Sequence, residues 1–478
     1  MMKYIRLTLA LLLATLLCVS ALADTYDQDQ VNEMMEQAWE QAMTEAAQDP
    51  ERVAEVTPEL TAVDYYDGEG LVTEELEVRS ITDGTYTMRY LLSVIGEPDE
   101  NGLYPLYICL HGGGSDSEEG YVNNAQWVYM LDYYRESVTS GVYVAVRGIT
   151  NNWNLHFEDA SYPLYDRLIE DMLVFYNVDP DRVYLLGFSA GGDGVYAVSP
   201  RMADRFAAVD ESSGHPNGVS LLNNANLPTC IQAGIRDTMF TPQRSVLAAG
   251  FDRILTGYAE AYGFGYTHTV YIHVPEGHNY ADNDPDANTT QLVLTDPQAF
   301  VEAMDDPDVN DLFPDEVAYS LDSEINDAYL ELVAELGLET VTTDTNAVRF
   351  VNQYTRDAHP ARLVWDLGTR AASRETTSFY WLQADSTVNT GLIAASFDAE
   401  TNTFSIDLQE KPNGDFSILL HPSMVDFSSP VYVRCGDGIA EVNVQLDEEA
   451  LQASMADTLD YDLAYAAKVS FNSLGFGE

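Results

Sequence analysis

The run Val183-Tyr184-Leu185-Leu186 leading into Gly187-Phe188-Ser189-Ala190-Gly191-Gly192 constrains the fold of this chain more than any other stretch. Apolar β-formers stop at a glycine, and a helix opens after Ser189. A strand that becomes a helix within a residue or two forces backbones together, which glycines on both sides of the turn allow because they carry no Cβ. The residue at the apex is lifted out of the sheet. It also sits at a helix N-terminus, where partial positive charge favours a developing anion. The same local string is otherwise only a glycine-rich turn with a serine N-cap, so its surroundings decide.

Those surroundings alternate between strand and helix. Leu76–Ser80, Tyr86–Ile95, Tyr104–Leu110, Val142–Val146, Arg205–Val209, Thr229–Ala233 and Thr267–Val274 read as further strands. Leu164–Tyr176, with Leu168, Ile169, Met172, Leu173 and Tyr176 on one face, and Ser245–Tyr262 read as helices. Strands separated by helices give a mainly parallel sheet covered on both faces, an α/β fold. The alternation stops near residue 305, at the acidic connector Asp305-Asp306-Pro307-Asp308, and a helix over Asp322–Leu336 follows. Beyond about 345 the chain reads as short strands with turns such as Asn413-Gly414 between them: Arg362–Trp365, Thr377–Leu382, Leu392–Phe397, Thr403–Leu408, Phe416–Leu420, Val431–Arg434 and Glu441–Leu446. That spacing predicts a C-terminal all-β sandwich-like domain, with Val364, Phe379, Trp381, Ile393 and Phe397 among its core positions.

At the other end, Lys3 and Arg6, the apolar run Leu7–Leu17 and Ala21-Leu22-Ala23 read as a signal peptide over 1–23 and imply export. Val31, Met34, Met35, Trp39 and Met43 then recur at helical spacing, so 24–60 is a helical segment packing on the domain behind it. The expected organisation is signal peptide 1–23, helical segment 24–60, catalytic domain with trailing helical linker 61–340, and β-rich accessory domain 341–478. After the leader, no segment is long and apolar enough to span a bilayer.

The 478 residues hold 78 Asp+Glu against 22 Lys+Arg, a formal charge of −56. That charge repels phosphate, which excludes nucleic acid and anionic membrane surfaces as partners. Cys109, Cys230 and Cys435 remain after the leader, an odd and scattered set that implies no disulfide framework and has no zinc spacing. Asp282, Asp284 and Asp286 lack the spacing of a calcium loop.

Chemistry enters with a second glycine-rich loop. Tyr107-Ile108-Cys109-Leu110 ends in His111-Gly112-Gly113-Gly114. Acyl transfer places negative charge on a carbonyl oxygen, and paired backbone N–H groups can hold it. The expected donors are Ala190, after the serine, and Gly113, with Gly112 as second choice. In this type of sheet the serine is followed along the chain by an acid and then a histidine. His278, in Pro275-Glu276-Gly277-His278, lies just past a strand end and is the expected general base, with His215 a distant second. Asp237 follows another strand end and is the expected acid, with Asp210 and Glu211 as alternatives. Its task is to hold the imidazole tautomer and stabilise imidazolium. The loop Gly148–Phe157 should rim the same face, so Trp153 is a candidate for stacking on substrate, and His111 is a second candidate substrate contact.

Asp179-Pro180-Asp181-Arg182-Val183-Tyr184 running into Gly187–Gly192, with His111–Gly114 upstream, resembles secreted α/β-hydrolases of the polyhydroxybutyrate depolymerase and feruloyl esterase type over about residues 85–300. The resemblance implies a Ser189-His278-Asp237 esterase that needs no cofactor, and the spacings above give no metal site. It implies an ester substrate, with feruloyl or acetyl esters of plant polysaccharide first. A polyester depolymerase, a serine peptidase of the same fold, or a non-catalytic carbohydrate-binding protein are the other expectations.

Overall fold

The computed structural model describes residues 26–114, 120–238, 243–278, 291–310, 312, 323–374, 377–442 and 444–476. The leader and Asp282, Asp284 and Asp286 lie outside these residues. Helices α1 (Gln28–Gln48) and α2 (Pro50–Val56) come first, capped by the side chains of Asp27 and Asp49. Three antiparallel strands follow, β1 (Glu59–Tyr66), β2 (Leu71–Asp83) and β3 (Tyr86–Ile95). The chain then alternates through β4 (Tyr104–Leu110), α3 (Tyr121–Tyr133), β5 (Gly141–Arg147), α4 (Ser161–Tyr176), β6 (Val178–Phe188), α5 (Ala190–Val198), β7 (Ala208–Ser212), β8 (Thr229–Gly234), α6 (Arg244–Tyr262) and β9 (His268–His273). Next come β10 (Gln291–Leu294), α7 (Pro297–Met304), α8 (Ser323–Glu335) and β11 (Thr340–Thr343). These strands form one 11-stranded sheet in the order β1-β2-β3-β5-β4-β6-β7-β8-β9-β10-β11. The central strands from β5 to β9 pair in parallel, so their C-terminal ends share one edge.

The parallel strands are apolar on both sides because helices cover both faces. In β4, Leu106, Ile108 and Leu110 enter one core cluster while Tyr107 and Cys109 enter the other. Each such side chain contributes roughly 1.5–3 kcal/mol when fully buried. Strand β7 departs from the expected Arg205–Val209. Ala203–Arg205 is a 3-10 turn, and the strand runs on through Asp210, Glu211 and Ser212, whose buried polar side chains hide it from an apolar pattern.

The expected boundary at 341 falls inside a strand, β11 (Thr340–Thr343). That strand pairs with β10, and helix α9 (Ala347–Val351) is buried under the large sheet. Two smaller sheets follow. One orders β12 (Arg362–Asp366), β15 (Leu392–Asp398), β16 (Thr403–Glu410), β18 (Val431–Cys435) and β19 (Gly438–Val442). The other orders β13 (Ser378–Phe379), β14 (Leu382–Ala384), β17 (Phe416–Leu420) and β20 (Ala467–Ser470). Three local expectations change. Thr377–Leu382 is not one strand but the tight β13–β14 hairpin, with Tyr380 at positive φ. The strand expected at Glu441–Leu446 is β19, ending at Val442. Helix α10 (Glu448–Thr458) makes the region not purely β; its buried residues are Leu451, Met455 and Thr458.

This region is fused to the part built on the large sheet by a shared interior. Strand β12 is buried on both sides: Leu363 and Trp365 join the β-domain core, while Val364, expected there, faces the cluster around α6 and β9. Asn223 closes the seam, accepting from the Asp366 N–H at 2.6 Å and donating to its carbonyl. Arg356 reaches Asp181 and Asp460, and Arg374 pairs bidentately with Asp166 on α4. Helix α1 packs against the C-terminal region as well as α4: Trp39 meets Tyr461 edge-on and Gln28 bonds the Pro422 carbonyl. No helix among the described residues is long and apolar enough to cross a membrane.

Candidate active site

Five segments reach the shared C-terminal edge of the parallel strands: His111–Gly114 after β4, Gly148–Phe157 after β5, Ser189 after β6, Asp237 after β8 and His278 after β9. Ser189 takes φ 57° and ψ −120°, outside the ordinary helix and strand regions. A non-glycine residue in such a conformation costs on the order of 1–3 kcal/mol and persists only where its surroundings enforce it. Here they do. A Cβ on Gly187 would stand 2.2 Å from the Gly191 carbonyl oxygen, and one on Gly191 would stand 2.0 Å from that of Leu110. The Ser189 N–H donates to the Ser212 carbonyl at 2.9 Å, which ties the turn to β7.

A second close approach joins the other two residues. Ile235 N–H donates to the His273 carbonyl and Arg236 N–H to the Glu276 carbonyl, both at 2.9 Å. A Cβ on Gly234 would meet the Glu276 and Gly277 carbonyl oxygens at 2.3 Å. The loops after β8 and β9 therefore run side by side, and Asp237 and His278 meet. His278 Nδ1 is 2.8 Å from Asp237 Oδ2, and His278 Nε2 is 2.9 Å from Ser189 Oγ. A carboxylate only accepts, so Nδ1 carries the proton and Nε2 is left to accept from the serine hydroxyl. Asp237 and His278 are buried while Ser189 is half-exposed. Phe188 lies against the imidazole, ring centroids 5.2 Å apart, and Tyr133 backs Phe188.

The alternatives sit elsewhere. Asp210 accepts from Ser212 Oγ at 2.6 Å and from Gln232 Nε2 at 2.8 Å, inside the sheet. Glu211 is wholly buried with its carboxyl pushed well up by desolvation and by Asp210 beside it. The His215 ring pairs with Asn217.

The glycine loop wraps the serine. A Cβ on Gly112 would lie 3.2 Å from Ser189 Cβ, and Gly113 and Gly114 both hold positive φ. Ala190 opens α5, whose first N–H groups have no partners within the helix. Trp153 is 51% exposed, and its ring abuts Gly114, where a Cβ would stand 2.5 Å away. His111 departs from the expected substrate contact. Its side chain is wholly buried, accepting from Gly148 N–H at 3.1 Å and donating to the Gly112 carbonyl at 2.5 Å, so it supports the loop from behind.

Two residues of α3 near the glycine loop belong to no motif. Gln126 Oε1 lies 3.2 Å from the same Gly112 Cβ position, and Tyr129, one helical turn on, is exposed. Their spacing from Val122 marks one helix face, and only the fold brings Gln126 of that face beside the glycine loop.

No family model matches the chain, and no curated protein matches it by sequence. Several solved structures resemble part of it. A thermostable esterase is 22% identical over 44% of this chain and 62% of its own, with a TM-score of 0.31. A carboxylesterase from Mesorhizobium loti is 18% identical over 44% of this chain and 95% of its own, TM-score 0.31. A ferulic acid esterase is 16% identical over 42% and 90%, TM-score 0.28. This chain thus spans less than two thirds of the first of these structures.

Proposed function

We propose that the protein is a serine esterase that cleaves carboxylic esters through an acyl-enzyme on Ser189. The observation that carries this is the hydrogen-bonded line from Ser189 Oγ through His278 to Asp237, at 2.9 and 2.8 Å. Ser189 Oγ attacks the ester carbonyl while its proton passes to His278 Nε2. Asp237 keeps the imidazole in the accepting tautomer and stabilises the imidazolium. The N–H groups of Ala190 and Gly113 receive the charge that develops on the carbonyl oxygen. His278 then returns the proton to the departing alcohol. Water, activated by the same histidine, adds to the acyl carbon, and its collapse frees the acid and restores Ser189.

The substrate class we favour is a feruloyl or acetyl ester of plant polysaccharide. Trp153 and Tyr129, both exposed beside the glycine loop or on its flanking helix, supply flat faces for an aromatic acyl group or a sugar ring. A neutral polymer also suits a chain of charge −56. Export through residues 1–23 belongs to the same reading, as does a supporting role for the C-terminal region, which shares its interior with the catalytic part.

The test is a panel of p-nitrophenyl, feruloyl, acetyl-xylan, polyester and peptide substrates with wild type and Ser189→Ala, alongside fluorophosphonate labelling. Label on Ser189 and a loss of roughly 10³-fold or more in Ser189→Ala are expected. Label elsewhere, or a variant that keeps most of its activity, refutes the mechanism. Turnover of peptides but not esters refutes the substrate class.

A further inference from the structure

We infer that His156 is a positioning residue for the oxyanion loop, holding the Gly112 and Gly113 N–H groups on the serine side through His111. The inference rests on the esterase reading above.

The residues involved are joined by directional bonds. His156 follows β5 in the loop that also carries Trp153. Its Nε2 stands 2.9 Å from the His111 carbonyl oxygen. A carbonyl only accepts, so Nε2 carries the proton of this ring. His111 in turn holds the Gly112 carbonyl from Nδ1 at 2.5 Å and accepts the Gly148 N–H at Nε2 at 3.1 Å, which assigns its tautomer as well. The two rings meet edge-to-face at 4.7 Å. Both are essentially inaccessible to water. Burial drives His156 down to about 3 and His111 well below its ordinary value, so both stay neutral and keep the acceptor and donor sides this arrangement needs.

In a trans peptide the C=O and the next N–H point in opposite directions. Fixing the His111 carbonyl against His156 therefore turns the Gly112 N–H away from it. Fixing the Gly112 carbonyl against the His111 ring does the same for Gly113. Glycines are free to rotate these peptides. Asn123 Oδ1 accepts the Gly114 N–H at 2.6 Å and fixes the next peptide of the loop, so the two imidazoles are left to set the direction of the Gly112 and Gly113 donors. His156 also touches the other half of the site. A Cβ on Gly194, in the helix that begins beside Ser189, would stand 2.8 Å from His156 Cβ. The Tyr165 hydroxyl anchors the His156 carbonyl at 3.1 Å from α4. One side chain thus bridges the serine helix and the glycine loop. Its Nδ1 is buried with no hydrogen-bond partner among the described residues.

The test compares His156→Phe, which keeps a ring but no donor, with His156→Gln, whose Nε2–H can reach the same carbonyl. The Phe variant should lose about tenfold or more in kcat with KM changed by less than about threefold, and Gln should recover most of that loss. A trifluoromethyl ketone, which forms an anionic adduct on Ser189, should weaken in parallel with kcat/KM, while binding of the product acid should not. An unaltered kcat in His156→Phe overturns the inference. So does a Gln variant as poor as Phe, or a fall in kcat with no change in ketone affinity. If His156→Phe does not fold, His156→Met replaces it. If neither folds while Gln does, His156 serves folding and the inference fails. Full activity in Ser189→Ala would instead overturn the esterase reading itself.

Discussion

Gly191→Ala should damage the site without touching any reacting group. The new Cβ would stand 2.0 Å from the Leu110 carbonyl oxygen and 3.0 Å from that of His111. Real Cβ contacts do not fall below 3.0 Å, so the end of β4 and the start of α5 must part by about 1 Å. Neither has a flexible side chain that can give way, because the obstructing atoms are backbone. The separation is borne by the elements that carry Ser189 and the glycine loop. A misplacement of about 1 Å costs on the order of 10²-fold in rate, and overpacking of this kind costs about 1–3 kcal/mol in stability. The assay is kcat/KM on p-nitrophenyl acetate with a urea melt on the same preparation. Gly250→Ala is the control: it lies in α6 with nothing within 4 Å of the added methyl, and should be neutral or more stable by roughly 0.4–1 kcal/mol. A Gly191→Ala enzyme within twofold of wild type would refute the packing argument for the turn.

Asp237→Asn should fold and lose on the order of 10⁴-fold in kcat, while Asp210→Asn stays active; the reverse pattern in steady-state assays would move the acid to β7. Arg356→Met should cost about 3–5 kcal/mol by urea denaturation, because it strands Asp460 and Asp181, and a loss under 1 kcal/mol would show the seam to be dispensable. Stability should also fall as pH rises from the ordinary carboxylate range to about 8, and level off above it. Burial lifts Glu170 to about 7 and Asp171 to about 8 against the pull of Arg52, so the folded state holds protons that the unfolded chain has released above the ordinary carboxylate range. Melting temperatures from pH 6 to 9 check this, and Glu170→Gln should flatten the slope.

The sequence by itself determined the elements whose chemistry is local. A strand, a glycine-flanked serine and a helix specify their own sharp turn, and continuous apolar runs mark β4 and β5 because both faces of those strands are covered. Chain order and strand ends were enough to single out Ser189, Asp237 and His278, which the fold brings within hydrogen-bond distance. Only tertiary structure decided which neighbours surround them. Asp210, Glu211 and Ser212 form a strand although its pattern is polar, because Gln232 and Ser199 meet their side chains in the interior. His111 looked like a substrate contact from its place in a motif, yet the loop after β5 covers it. His156, Gln126 and Tyr129 belong to no motif at all. Their roles come from where separate elements converge, and sequence spacing carries no record of distances between residues that only packing brings together.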